Sequence, residues 1–242
     1  SEMCIRDRNI MNYVIILAGG TGTRVGLNRP KQFVEIFDKP VIAYTIDIFE
    51  EHKDIDAMCI VCHREWREYL EDMVSRYKYK KIKWISDGGN TFQESVISGI
   101  STLKGNIKKN DNVLIHYAAS PFTSKEIVTD VIRKTEEKGS AVSITPCYQL
   151  MGTNDGEYSA NWVDRDELIQ IASPQGFRFD YLLDIYERAE KAGILDKTEP
   201  HTTSLMYVLG DRINKAYGNQ TNIKITTRDC LLYTSPSPRD YA

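Results

Sequence analysis

The chain has 242 residues, 41% of them hydrophobic, and a formal net charge of −3. That length and apolar content suit one α/β domain with a sizeable core. The slightly acidic balance gives neither nucleic acid nor an anionic membrane a reason to bind, and no apolar run approaches membrane-spanning length.

Taken in chain order, the ends stand apart. Met3-Cys4-Ile5-Arg6-Asp7-Arg8 can be encoded by ATGTGTATAAGAGACAG, whose reverse complement reads Cys-Leu-Leu-Tyr-Thr, the run from Cys230 to Thr234. Both ends therefore read as one sequencing adapter translated in opposite directions; the alternative is two natural disordered tails. Residues 1–10 and 230–242 are set aside from fold reasoning. The domain expected over 11–229 starts at Met11 and lacks its natural C-terminus. Met11 leads straight into a strand with no signal peptide in view, which points to the cytoplasm.

Strand-like runs are predicted at Val14–Leu17, Ala57–Val61, Lys83–Ile85, Val113–His116 and Ala141–Thr145, with helices between them. Val41–Phe49 has an apolar face, and Glu65–Tyr77 is charged and periodic. Asn90-Thr91-Phe92-Gln93 resembles a capping box opening a helix through Leu103, and Thr123-Ser124-Lys125-Glu126 reads as a better one. The second opens a helix to Lys138, with Gly139 as its stop. Strand–helix alternation implies a mainly parallel sheet covered on both faces. Residues 146–173 break the alternation with a turn-rich stretch and strand-like Tyr158–Val163 and Leu168–Ile171, the pattern of a projecting β-arm. Helices follow at Phe179–Ala192 and Thr203–Leu209, then last strands at Ile213–Tyr217 and Ile223–Thr226. Cys59 and Cys62 have C-x-x-C spacing but sit in a strand, where residues three apart face opposite ways. They read as buried structural cysteines.

The chemistry concentrates after the first strand, in Leu17-Ala18-Gly19-Gly20-Thr21-Gly22-Thr23-Arg24 and Arg29-Pro30-Lys31-Gln32. Glycines let backbone N–H groups close around phosphate oxygens, and Arg24 and Lys31 can neutralise charge. Neither common phosphate loop fits. No Gly-Lys-Ser/Thr ends the run, and Val25 stands where a dinucleotide fingerprint needs its third glycine. The second strand ends in Val61-Cys62-His63-Arg64, without the acid a nicotinamide-binding fold requires.

This signature resembles that of the cytidylyltransferases that activate polyol phosphates, the 2-C-methyl-D-erythritol 4-phosphate and ribitol-5-phosphate cytidylyltransferases. Further matches follow in the family's order: Asp87-Gly88-Gly89 with Ser95-Val96, Leu114-Ile115-His116 with Ala118-Ala119 and Pro121, Val163-Asp164-Arg165, Ser173-Pro174-Gln175, and Asn222-Ile223-Lys224-Ile225-Thr226. The resemblance runs from about Met11 to Asp229. It implies a Rossmann-like, glycosyltransferase-A-like three-layer α/β sandwich. It also implies a homodimer in which the arm completes the partner's site, and transfer of CMP from CTP to a polyol or sugar phosphate with Mg²⁺.

In that reaction a phosphate oxygen attacks the α-phosphorus and pyrophosphate leaves in line. A phosphate monoester is already largely dianionic at neutral pH, its second pKa being about 6, and needs no general base. The task is charge stabilisation, so Lys and Arg carry it. By resemblance Arg24 and Lys31 touch the triphosphate, Lys224 reaches the α-phosphate from the far side, and Arg165 grips the acceptor phosphate across the dimer. Read alone, Arg24 is a surface arginine, Lys224 a strand-end lysine and Arg165 a hairpin arginine. The base and ribose are expected against Ala18, Gly19, Gly20, Thr21, Gly22, Gly88, Gly89 and Ser95, and the acceptor near Arg165, Ser173 and Thr202. Ser95 reads equally as a nucleotide contact or as a helix serine bonding its own backbone.

Four departures from the family pattern stand out. Tyr117 replaces the aspartate that helps hold Mg²⁺, and Ser120 replaces an arginine. Gln149-Leu150-Met151-Gly152 replaces Asp-Thr-x-Lys. Pro200-His201-Thr202-Thr203-Ser204 stands for Thr-Asp-Glu-Ala-Ser, and Thr221 stands where an acid often precedes Asn-Ile-Lys. A phenol is a poor ligand for a hard dication, so no metal site is assigned. His116 reads as a strand-end hydrogen-bonding residue and His201 as a substrate contact. The acceptor-facing changes favour ribitol 5-phosphate or a related surface-polymer precursor. An isoprenoid-precursor role, with methylerythritol phosphate as acceptor, is the enzymatic rival. A homologue that binds CTP without turnover is the non-enzymatic one.

Overall fold

The computed structural model of the chain describes residues 9–20, 29–227 and 230. The unbroken apolar run after Met11 forms β1 (Asn12–Ala18), a strand covered on both faces. It pairs in parallel with β4 (Ala57–Cys62) on one side and β6 (Asn112–Tyr117) on the other, and β5 (Ile82–Asp87) extends the sheet beyond β4. β7 (Ser140–Pro146), β10 (Ile169–Arg178) and β11 (Lys215–Ala216) complete seven strands in the order β11-β7-β10-β6-β1-β4-β5. β10 lies antiparallel to both β6 and β7; the other pairings are parallel. Two short hairpins stand outside the sheet: β2 (Glu35–Ile36) with β3 (Lys39–Pro40), and β8 (Met151–Gly152) with β9 (Trp162–Val163).

Among the described residues each face of the sheet carries three helices, and the strands' side chains alternate between them. Val14, Ile16, Met58 and Ile60 pack on α1 (Val41–Glu50), α2 (Arg67–Tyr77) and α4 (Lys125–Lys138). Ile15, Val61, Val113 and Ile115 pack on α3 (Phe92–Leu103), α5 (Phe179–Lys191) and α6 (Thr202–Val208). Cys62 joins the first cluster and Cys59 the second, both as free thiols, so the strand geometry separates the C-x-x-C pair as expected. Among the described residues no helix is long and apolar enough to cross a membrane.

Local signals account for the helix ends, with the two caps reversed in quality. Thr91 caps α3 in a complete box whose acid is Glu94, not Gln93. Ser124 caps α4 with a single bond from the Ile127 N–H, and Gly139 ends that helix in the left-handed region. Four strand expectations change. Tyr158–Val163 is strand only at Trp162–Val163, and Ile213–Tyr217 only at Lys215–Ala216. The run starting near Leu168 continues through Ser173-Pro174-Gln175 to Arg178, with a register shift between Ile171 and Gln175 that accommodates the proline. Ile223–Thr226 forms no strand: one backbone bond, from the Ile225 N–H to the Ala119 carbonyl, attaches it to the end of the sheet.

His116 sits in β6, fully buried, with Nε2 3.1 Å from the Ser120 carbonyl and Nδ1 without a partner. It is the strand-end hydrogen-bonding residue expected. Burial pushes its pKa down from 6.5 to about 4, because a proton on Nδ1 would have nothing to bond. The neutral ring therefore contributes stability that is complete above pH 6.5 and is lost as pH falls from there to about 4. The loss is on the order of 3 kcal/mol. Denaturant titrations at pH 7.5 and 5 should show about 2 kcal/mol of that decline, and His116→Gln should have a shallower pH slope whatever its absolute stability. An unchanged slope would contradict the assignment.

Candidate active site

Parallel strands bring their carboxyl ends to one edge of the sheet, the place where such folds bind ligands. Gly19 follows β1 there and Gly88 follows β5. A Cβ built on Gly88 would stand 3.3 Å from Gly19 Cα, and one on Gly19 would stand 3.2 Å from Ser95 Oγ. The two backbones therefore meet with no room for side chains. Two polar residues hold the meeting point. Gln32 is buried and donates through Nε2 to the Ala18 and Gly20 carbonyls, both at 2.8 Å. Ser95 Oγ accepts from the Gly89 N–H at 3.1 Å and donates to the Thr91 carbonyl at 3.0 Å. Gln32 comes from a single 3-10 turn, Lys31–Phe33, anchored by Phe33 stacked on Trp66 at 4.8 Å. The result is a cavity of about 210 Å³ whose walls include Gly19, Gly20, Gly89, Ser95, Lys31 and Lys224.

A second cavity, of about 520 Å³, opens beside the first, and Tyr117 and Lys224 line both. Its wall is rich in neutral amides and hydroxyls, among them Gln170, Ser173, Thr203, Asn219 and Asn222, with Glu199 and His201 as ionisable groups. Ser173 Oγ is buried without a partner. Asn222 ties the last segment down: its Nδ2 donates to the Ser173 carbonyl and its Oδ1 accepts from Thr123 Oγ1. Lys224 Nζ then lies 3.7 Å from the centroid of the Tyr117 ring.

The Tyr117 hydroxyl and His201 Nδ1 are 2.6 Å apart. Burial, with Glu199 nearby, pushes the phenol pKa above its ordinary value. Burial and then Lys224 push the imidazole down, against the opposing influence of Glu199. Both groups are therefore neutral near pH 7, joined by one hydrogen bond between the phenol oxygen and Nδ1. Phe92 closes the group, its ring 6.0 Å from Tyr117 and 5.4 Å from His201.

The sequence-predicted residues divide clearly. Lys31, Gly19, Gly20, Gly89, Ser95 and Lys224 gather at the small cavity. Ala18 and Gly88 stand behind it, bonded through backbone to Gln32 and to the Cys62 carbonyl. Thr21, Gly22 and Arg24 lie outside the described residues. Ser173 lines the large cavity. Thr202 does not: it is fully buried and bonds the Tyr186 hydroxyl, while its neighbours Thr203 and Ser204 face the cavity. Residue 202 is the first of α6, and its side chain turns inward to the core. Arg165 sits on the arm and donates to the Tyr148 carbonyl, lining neither cavity of its own chain. The Ser95 proton is committed to its own helix. Gln32, Asn222 and Phe92 carry structural roles that motif reading left unassigned, although Gln32 and Asn222 lie inside the quoted motifs. No group of three His, Cys, Asp or Glu side chains able to hold a metal occurs among the described residues.

The chain is similar to known proteins in sequence and in fold. The family model for 2-C-methyl-D-erythritol 4-phosphate cytidylyltransferase matches residues 12–235. A ribitol-5-phosphate cytidylyltransferase from Lacticaseibacillus paracasei is 34% identical over 224 residues, covering 91% of this chain and 95% of that protein. A 2-C-methyl-D-erythritol 4-phosphate cytidylyltransferase from Clostridium acetobutylicum is 34% identical over 223 residues, 91% and 94% of the two chains. In fold, the chain matches the crystal structure of Francisella tularensis 2-C-methyl-D-erythritol 4-phosphate cytidylyltransferase with a TM-score of 0.77. That match has 23% identity and covers 93% of this chain and 98% of that one.

Removing the Ser95 hydroxyl would leave the Gly89 N–H without its acceptor and loosen the glycine contact. Ser95→Ala should weaken CTP binding roughly fivefold by calorimetry, the worth of about one such bond. Unchanged affinity would mean the turn is held by other contacts.

Proposed function

The chain belongs to the 2-C-methyl-D-erythritol 4-phosphate cytidylyltransferase family and is a CTP-dependent cytidylyltransferase acting on a polyol phosphate, and we propose that its acceptor is ribitol 5-phosphate or a close relative. The observation that carries this reading is the pair of adjoining cavities with one lysine between them. The small, backbone-walled cavity suits cytosine and ribose, whose hydrogen-bonding edges peptide groups can read. The larger one offers amides and hydroxyls to a linear polyol. Relatives named for ribitol 5-phosphate and for methylerythritol phosphate stand at equal identity. The acceptor-side departures at Tyr117 and His201 favour the former.

The chemistry follows from charge. An oxygen of the acceptor phosphate forms a new P–O bond to the α-phosphorus of CTP, the bond to the bridging oxygen breaks, and pyrophosphate departs with the electron pair. Lys31 faces the small cavity and bears on the triphosphate. Lys224, open to both cavities, bears on the α-phosphate and on the incoming phosphate together. Arg24 is assigned to the triphosphate by its place in the family motif. Positioned cations lower the barrier because the developing negative charge meets fixed positive charge in a partly water-excluded site. Mg²⁺ prefers carboxylate and phosphate oxygens, and Tyr117 supplies neither. The described residues do not fit a metal held by the protein at this strand end, and no step is assigned to one.

The arm supplies the partner reading. Leu150, Tyr158 and Trp162 are large apolar side chains, each at least 70% exposed, on and beside the β8–β9 hairpin. A second copy of the chain would cover them, and Arg165 would then reach the partner's large cavity. A hairpin with no partner is the plain alternative.

Pyrophosphate release with CTP and each acceptor tests the reading. kcat/KM should be at least about tenfold higher for ribitol 5-phosphate than for methylerythritol phosphate, roughly 1.4 kcal/mol of discrimination; the reverse order would overturn the acceptor assignment. Lys31→Ala and Lys224→Ala should each lower kcat about a hundredfold. Arg165→Ala should mainly raise KM for the acceptor. Light scattering should give a dimer mass that Trp162→Ser with Leu150→Ser converts to monomer; a monomeric parent chain would remove the arm from the site.

A further inference from the structure

Tyr117 ends β6 and His201 opens α6, and the fold sets these side chains 2.6 Å apart as one hydrogen-bonded pair. We propose that Tyr117 is a positioning residue for Lys224, its ring face holding the ammonium at the junction of the two cavities while His201 fixes the ring. This rests on the cytidylyltransfer reading above and names how that site places its shared cation.

A carboxylate at the end of β6 would attract the ammonium but also neutralise much of its charge. A ring face attracts a cation through its quadrupole and leaves the net charge for the phosphates. The 3.7 Å separation is well inside the range of that interaction, and Tyr117 is half-buried, which strengthens it. A ring can hold a cation in place only if the ring is itself held. The hydroxyl is bonded to His201 Nδ1, and Phe92 packs against both rings. His201 is fixed in turn as the residue that opens α6, its carbonyl accepting from Gln93 Nε2 at 3.3 Å. Gln93 Oε1 accepts from the Tyr186 hydroxyl in the core at 2.8 Å. On the other side the Lys224 backbone is placed by the two Asn222 side-chain bonds and by Ile225. A chain of contacts thus runs from the packed interior to one ammonium group.

Two readouts test this on the full chain. With lysines ¹³C-labelled at Cε, the Lys224 signal, assigned by its loss in Lys224→Arg, should be displaced upfield by the ring current. It should stay displaced in Tyr117→Phe and return to the ordinary lysine position in Tyr117→Leu. In the pyrophosphate assay Tyr117→Leu should lose about tenfold in kcat and Tyr117→Phe about threefold, with KM for CTP changed less than about twofold. An undisplaced Lys224 signal in the parent chain would overturn the proposal, and that measurement needs no variant to fold. Equal kcat for the Phe and Leu variants, in chains that bind CTP alike, would also overturn it. Absence of turnover by the parent chain with any polyol phosphate would instead defeat the functional reading, and the NMR signature alone would then decide where Lys224 sits.

Discussion

Gly19 and Gly88 lie backbone against backbone at the carboxyl edge of the sheet, and a side chain on either would press on the other strand's turn or on Ser95. This close approach is possible because β1, β4 and β5 run in parallel, so that their ends emerge together. It leaves a floor of peptide groups rather than side chains. Gln32 and Ser95 turn that floor from a flexible glycine run into a set surface, one by clamping the Ala18 and Gly20 carbonyls, the other by receiving the Gly89 N–H. The small cavity follows from that surface.

The larger cavity is built on the opposite principle. Its walls come from β10, α6 and the segment around Asn222, elements far apart in sequence, and they present side chains of varied length. Under the proposed assignment, a shared family reaction can coexist with varied acceptors, because the small cavity depends on backbone and the large one on substitutable side chains. Lys224 couples the two. Its neighbours Tyr117 and His201 are both neutral near pH 7, and its ammonium lies against the Tyr117 ring face.

Legibility in the sequence tracked how local the determining physics is. β1 was readable because a strand covered on both faces is apolar at every position, and α3 and α4 because their caps lie within a few residues of their starts. The capping-box acid was placed one residue early, since Gln93 and Glu94 are both chemically able and only geometry chooses between them. The first residues of β10 were readable at Leu168–Ile171, but its continuation was hidden: proline and glycine in Ser173-Pro174-Gln175-Gly176 argue against a central strand, and only the register shift against β7 makes room for them. Thr202 and Thr203 are adjacent hydroxyls on one short helix, and which of them faces the cavity depends on how α6 meets Tyr186. The pairing of Tyr117 with His201 spans 84 positions and exists only in the folded chain. The motifs indicated the reaction well, whereas the partners that orient its cations came from tertiary contacts.

A structure of the chain crystallised with CTP would test these assignments most directly. It should place cytosine against Gly19, Gly20 and Gly89, with the α-phosphate about 3 Å from Lys224 Nζ, the distance of a charge-assisted hydrogen bond. A nucleotide seated in the wide cavity beside Gln170 and Asn219, or an α-phosphate out of reach of that ammonium, would contradict them.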